Sequence, residues 1–251
     1  MWVGSGEHYS FGNQVEAARR NWETLVRSLE PLLDNTTAAT AARHAFADEA
    51  NKATANMWAA KLGFCWTEAI YRGDWTDDDM CLPEEIATAS KLWADLSALL
   101  DADVDYTLLW RRLAAAKRSG AHALEALAPA FYVPPSPAKA RKWRDWLARW
   151  RRAGPYVNAM NQVNPLFVPR EWMLVEACES AYKAPKIIEP PDVASPRRYE
   201  AAERGDNSVI ETLQLLFSRP YSDDHDPALV AKYARRAPDG AHTQGGVGYM
   251  S

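Results

Sequence analysis

The sequence predicts an all-α protein of about eight to ten helices, and three observations carry that reading. Apolar residues recur at spacings of three and four through consecutive segments, the period of a helix with one buried face. Prolines and glycines fall at the borders of those segments, where they open or stop helices. Eleven tryptophans in 251 residues supply large apolar anchors. Each can bury roughly 150–250 Å², worth several kcal/mol at about 25 cal/mol per Å².

Taken in order, Met1 to Phe11 is rich in Gly, Ser and aromatic residues and too short to fold alone. Val15 to Leu33 is the first helix, with Ala18, Trp22, Leu25, Val26, Leu29, Leu32 and Leu33 as an expected core-facing stripe. Asn35-Thr36-Thr37 fits a glycosylation sequon, but without a secretory signal it reads as a turn and helix cap. Ala38 to Leu62 is an alanine-rich second helix ended by Gly63. Phe64 to Leu82 is a connector carrying Asp77-Asp78-Asp79. Adjacent carboxylates point in different directions, so a solvated loop outweighs a cation site. Arg72-Gly73-Asp74 and Arg204-Gly205-Asp206 read as turns rather than adhesion signals.

Pro83 to Leu100 and Val104 to Lys117 are two further helices, the first opened by Pro83-Glu84-Glu85 with acids at its positive end. Asp105 is read as a cap rather than a catalyst. Ala121 to Phe131 is a short fifth helix, and Pro134-Pro135-Ser136-Pro137 stops it and forms a stiff extended linker. Ala138 to Ala153 interleaves Lys139, Arg141, Lys142, Arg144, Arg149, Arg151 and Arg152 with Trp143, Trp146, Leu147 and Trp150. Basic residues beside aromatics could bind nucleic acid, but an amphipathic helix docked through its tryptophans is the favoured reading.

Met160 to Arg170 reads as an extended loop delivering the chain into a helix over Glu171 to Ala177. Asn164-Pro165 forces extended backbone, and Pro169 suits a helix start. Ala184 to Ser195 is a proline-containing loop. Ser208 to Phe217 is amphipathic and ended by Arg219-Pro220-Tyr221. Ala228 to Arg236 forms a last turn or two, and the tail beyond Pro238 is glycine-rich and flexible.

Composition excludes little. Hydrophobic residues make up 47% and charged residues 25%, as in ordinary globular chains, and a net charge of −4 argues against general attraction to nucleic acid or membrane. Cys65, Cys81 and Cys178 are odd in number and lack C-x-x-C spacing. The expectation is buried or idle thiols, with neither a zinc site nor a disulfide framework. His8, His44, His122, His225 and His242 have no metal-ligand spacing. No apolar run reaches membrane-spanning length and no targeting segment is present, so the chain reads as soluble and intracellular, with an organellar address left open.

Three motifs in order carry a resemblance. Met160, Val163-Asn164-Pro165, Phe167-Val168 and Arg170, then Ala201-Ala202-Glu203-Arg204-Gly205-Asp206, then Arg219-Pro220-Tyr221 resemble the C-terminal region of the selenoprotein O family. His8-Tyr9-Ser10-Phe11-Gly12-Asn13-Gln14, with Glu16, Asn21, Leu25, Leu29 and Pro31-Leu32, is similar to the segment that follows the family's metal-binding catalytic part. Val15 and Trp22 stand where the family usually has proline and leucine, and the 184–195 loop is longer than its pattern. Asp101 to Thr107 resembles the family's acidic turn before a helix.

The resemblance implies the multi-helix C-terminal region of a protein-kinase-like fold. It also implies a parent enzyme that uses ATP and Mg²⁺ to transfer AMP to Ser, Thr or Tyr hydroxyls of proteins. The positions it marks as structural motif residues are Asn13, Gln14, Asn21, Asn164, Pro165, Arg170, Glu203, Gly205, Asp206, Pro220 and Tyr221. No catalytic, cofactor-binding or metal-binding residue is carried onto this chain, and no cofactor is expected in it.

The expected organisation is a join to an N-terminal catalytic part over 1–14, a helical subdomain over 15–133, the linker 134–137, a second helical subdomain over 138–237 and a tail over 238–251. Such a part would scaffold the site and, alone, expose apolar surface. Its partners would be the missing kinase-like part and the parent's protein substrates, with no membrane and no nucleic acid. The alternative is a stand-alone helical interaction module without catalysis.

Phosphate transfer needs a backbone cradle, a lysine and Mg²⁺ ligands, and neither Gly4-Ser5-Gly6 nor Gly245-Gly246-Val247-Gly248 is placed to open a helix on a pyrophosphate. Family members commonly finish with Cys or selenocysteine and two serines, so a selenocysteine codon read as stop after Ser251 is the expectation.

Overall fold

The computed structural model describes residues 13–32, 36–65, 81–182 and 206–238. Those residues are mainly helical, as the periodicity predicts, and an antiparallel bridge from Val104 to Phe131 is the β pairing among them. The helices are α1 (Gln14–Leu29, with a 3₁₀ turn Glu30–Leu32 behind it), α2 (Thr36–Lys61), α3 (Pro83–Ser97), α4 (Tyr106–Arg118) and α5 (Ala123–Ala126). They continue as α6 (Pro137–Arg152), α7 (Val157–Val163), α8 (Glu171–Tyr182), α9 (Ser208–Ser218) and α10 (Pro227–Tyr233).

Local chemistry sets the ends. Pro83 opens α3 while the Glu85 carboxylate accepts from the Leu82 amide at 3.0 Å. The Ser136 hydroxyl accepts from Lys139 N at 3.3 Å and Pro137 is the first residue of α6, so the 134–137 stretch leads straight into a capped helix. Asp226 caps α10 through the Ala228 amide at 2.7 Å. α2 stops in a paired turn, with Phe64 N donating to Ala59 O at 2.9 Å and Gly63 N to Ala60 O at 3.0 Å. Gly63 has φ +83, and a Cβ there would meet Met160 Cγ at 2.8 Å.

The apolar side chains form two clusters. The larger joins α2 through α7 and contains Leu62, Leu92, Leu109, Trp110, Trp143, Trp146, Trp150 and Met160. The second contains Phe167, Trp172, Met173, Leu213, Leu216 and Tyr233 from α8 to α10 and the loop before them. The tryptophans of α6 face inward, as the docked-helix reading expects. Trp146 Nε1 donates to Leu92 O and Trp150 Nε1 to Leu62 O, both at 2.9 Å. Those rings are unavailable for stacking on bases. Of the cations on the other face, Lys139 pairs with Asp101 and Arg149 with Asp95, while Arg151 Nη1 donates to Gly120 O at 2.6 Å.

Four expectations change. Among the described residues of the α1 stripe only Val26 is fully buried; Trp22 stacks on Phe46 at 5.6 Å, whereas Leu25, Leu29 and Leu32 face solvent. Ala121 to Phe131 is not one helix, because Pro129 cannot extend the amide ladder and Phe131 leaves it to bridge Val104. Met160 to Val163 is helical rather than extended. The chain leaves α7 at Asn164, which Pro165 holds at φ −108 and ψ 109. Cys65 and Cys81 are not idle thiols but a disulfide with Cα atoms 4.9 Å apart, joining the end of α2 to the start of α3. Asn56 places that second cysteine, accepting from its amide at 3.2 Å while donating to Lys52 O at 2.8 Å.

Asn35, Asp77 to Asp79, Arg72-Gly73-Asp74, the 184–195 loop and the tail from 239 onward lie outside the described residues, as do Glu203 and Gly205. Thiol titration of the unreduced chain in denaturant should detect the single free cysteine, Cys178. After reduction it should detect all three. Reduction should lower the unfolding free energy by about 3 kcal/mol, the loop-entropy value for a ring of this size; three reactive thiols before reduction would return Cys65 and Cys81 to the unpaired state.

Candidate functional site

A tightly held polar group lies where the two clusters meet. Asp105, directly before α4, accepts from Leu108 N at 2.9 Å through Oδ1. Its backbone is held by the strand-like pairing beside it: Asp105 N donates to Ala130 O and Tyr132 N to Asp103 O, both at 2.7 Å. That pairing brings the Tyr132 hydroxyl to Asp105 Oδ2 at 3.1 Å. Arg170, at the end of the Asn-Pro loop, completes the group by donating from Nη1 to Oδ2 at 2.7 Å and from Nη2 to Oδ1 at 2.8 Å. Both charged residues are buried, at 1% and 2% exposure.

The C-terminal segment closes over this pair. Arg170 Nη1 also donates to Arg235 O at 3.2 Å, and Arg236 donates to Phe131 O. Arg235 lies over the Trp172 ring at 4.8 Å and Arg236 over Tyr132 at 5.7 Å. Burial, with the Asp105 charge beside it, pushes the Tyr132 hydroxyl up to about 12.

A second junction uses the other motif residue. Asn164 and Lys61 bond reciprocally, Lys61 Nζ to Asn164 Oδ1 at 2.8 Å and Asn164 Nδ2 to Lys61 O at 3.0 Å. The ammonium also lies 4.6 Å from the centre of the Trp110 ring and 5.9 Å from that of Tyr106. Burial pulls the Lys61 amine down to about 8 and pushes the Tyr106 hydroxyl up to about 12. Beyond Pro165 the loop meets the Arg-Pro-Tyr turn, since Leu166 N donates to Pro220 O at 2.7 Å. Tyr221 O accepts from Arg111 Nη2 at 3.0 Å, and Asp223 accepts from Arg111 at 2.7 Å and from Asn161 at 3.1 Å.

The structure therefore brings Asn164, Pro165, Arg170, Pro220 and Tyr221 into one region beside α4. Asn13 precedes α1, its carbonyl accepting from Ala17 N at 3.0 Å, while Gln14 opens the helix and Asn21 is exposed on it. Asp206 is exposed, accepting from Ser208 N at 2.9 Å ahead of α9. Lys61, Tyr132 and Arg111 are the residues sequence reasoning missed. A lysine in the last turn of a helix signals only a favourable dipole, and nothing near Tyr132 announces its partner.

Chemically the arrangement holds rather than transfers. The two oxygens of Asp105 accept four hydrogen bonds, which fills the capacity of a carboxylate and leaves no site for a substrate proton. Among the described residues no group of three or more His, Cys, Asp or Glu is placed to hold a metal ion.

Arg170→Ala should cost about 3–5 kcal/mol in urea unfolding, because it leaves the Asp105 carboxylate buried without its counter-charge. Arg170→Lys should fall between, keeping charge but losing the two-point geometry; a loss under about 1 kcal/mol for the alanine variant would refute this role. For Lys61 the sign follows from a folded-state value near 8 against an ordinary 10.5. The burial penalty is fully present below about pH 8. Between the two values the unfolded chain binds more protons, so stability rises with pH. Denaturant titrations at about pH 8 and about pH 9.5 should show that rise in the native chain and not in Lys61→Met.

Residues 2–193 match the family model described as protein adenylyltransferase SelO. The chain is 30% identical to the protein nucleotidyltransferase YdiU of Methylorubrum populi, over 97% of its own length and 42% of the relative's. It is 33% identical to the YdiU of Mycolicibacterium paratuberculosis over 69% of its length and 32% of the relative's. It is 28% identical to that of Aromatoleum aromaticum over 98% and 41%. No solved structure matches it. The chain thus spans less than half the length of these relatives, and it belongs to the SelO protein adenylyltransferase family.

Proposed function

We propose that this chain is the helical C-terminal portion of a protein adenylyltransferase, the whole of which transfers AMP from ATP to Ser, Thr or Tyr hydroxyls of proteins. The observation that carries the reading is the match itself, 97% of this chain against 42% of the Methylorubrum populi relative. On this reading the nucleotide and Mg²⁺ are held by a kinase-like core in the remaining part of the family protein. Transfer of a nucleotidyl group requires a backbone cradle, a cation and metal ligands arranged in advance of the reaction.

The role of this chain is then to hold that core in shape. In support, the motif residues Asn164 and Arg170 are spent on joints between helices, with their polar atoms bonded to Lys61 and Asp105. Such residues fix where α2 stands against α7 and α4 against α8, which is what a scaffold requires.

The test is calorimetric titration of the isolated chain with ATP and Mg²⁺, beside a fusion that restores the unmatched part from the Methylorubrum populi relative. The isolated chain should give no saturable heat up to about 1 mM nucleotide, a range in which binding is weaker than about 4 kcal/mol. The fusion should bind ATP and label protein with AMP. Tight, Mg²⁺-dependent ATP binding by the isolated chain would overturn the scaffold reading.

A further inference from the structure

α1 carries an apolar face that the described chain leaves uncovered. Leu25, Leu29 and Leu32 are 47%, 43% and 79% exposed. Gln14, Ala18, Asn21, Leu25, Leu29 and Leu32 follow one another at steps of three and four, so they line one side of the helix and its trailing turn. Each of these residues is exposed. The flank beside it is already occupied, for Val26 is buried, and Trp22 stacks on Phe46 and donates to Ala42 O at 3.0 Å.

The charges of α1 are spent locally. Glu16 pairs with Arg19 at 2.7 Å and Arg20 at 2.9 Å, and Arg43 bridges Glu23 and Glu30, each at 2.7 Å. What remains on the open face is apolar, edged by two side-chain amides, and without net charge.

We propose that this face of α1 docks the part of the family polypeptide that the present chain does not match, and is buried in the whole protein. The inference rests on reading the chain as a portion of such a protein. The length outside the match argues for this occupant, since 42% of the Methylorubrum populi relative is accounted for and the larger share must meet this portion somewhere. Charge argues the same way: a neutral face has no pull on nucleic acid or on anionic lipid, which are drawn by clustered cations. Three large side chains on one helix also fall short of the roughly 800 Å² per partner that a stable contact between separate molecules buries. A covalently joined part needs less area, because its effective concentration is high.

The experiment uses Leu29→Cys in a Cys178→Ser background and follows maleimide labelling. In the isolated chain the new thiol should react within about threefold of its rate in urea. In the fusion to the unmatched part of the Methylorubrum populi relative it should react at least tenfold more slowly. Equal rates in the two proteins would overturn the proposal, and so would protection in the isolated chain that grows with its concentration, which would assign the face to a second copy.

A second measurement needs no fusion. Leu25→Glu with Leu29→Glu should move the Tm of the isolated chain by less than about 2 °C, as exposed sites do, whereas Val26→Glu should lower it far more. Equal losses would mean the face belongs to this chain's own core. AMP transfer by the fusion is read in parallel: protection without transfer keeps the docking and sinks the catalytic reading, while transfer without protection does the opposite.

Discussion

The structure depends on one buried ion pair. Asp105 and Arg170 sit at the starts of two helices in different apolar clusters, and neither could be buried alone without a penalty of several kcal/mol. Their positions are not electrically equivalent. A carboxylate at the N-terminus of α4 is favoured by the helix dipole, whereas a guanidinium at the entry to α8 faces the same positive end and is disfavoured. Arg170 O accepts from Met173 N at 3.0 Å and Leu174 N at 3.2 Å, so the residue cannot leave that end without undoing the first turn. Asp105 is what makes a cation tolerable there, and the start of α8 is therefore conditional on the start of α4.

A pair of this kind contributes orientation more than cohesion. Apolar burial supplies most of the free energy in both clusters, but contact between greasy faces is tolerant of sliding by a fraction of a turn. A planar guanidinium bonded at two points to a planar carboxylate is not. Tyr132 adds a donor to the carboxylate and the Arg235 carbonyl an acceptor for the guanidinium, tying the pair to the 130–132 segment and to the end of α10. The Lys61–Asn164 joint works on the larger cluster in the same manner, with an amide in place of the carboxylate. It is the softer of the two, since an ammonium on an aromatic face and one amide oxygen is less fully compensated than Arg170, and burial shows in its lowered basicity.

Much of this architecture is legible in the residues themselves. Helix borders follow Pro83, Asp105, Ser136-Pro137 and Gly63, where the chemistry of the end is local and the signal is within four residues. The inward face of α6 is legible because three tryptophans and a leucine cannot all stay in water. What escapes is non-local. The partner of Arg170 lies 65 positions upstream, and the disulfide joins cysteines 16 apart whose meeting depends on how α2 and α3 return on one another. The break at Pro129 and the helical turn over Met160 to Val163 escape for a different reason. Both lie in short apolar stretches where one more turn of helix or its absence leaves the same pattern.

α1 shows where periodicity and burial part company. A stripe at helical spacing records which face a helix must cover but not what covers it, and here the neighbours within the chain take only the side bearing Trp22 and Val26. Leu25, Leu29 and Leu32 keep the period without the contact. In a chain that matches less than half of its relatives' length, that mismatch is itself informative. If the chain is part of a longer protein, as proposed, its patterning is set by the burial a residue finds in the whole. A helix whose polar side is neutralised by its own ion pairs, and whose apolar side is open, has the composition of an interior element seen with one wall removed. On the proposed reading of the chain as part of a longer protein, the stripe on α1 and the joint at Arg170 have complementary roles: the joint fixes the angles between helices, and the stripe is the face offered for docking.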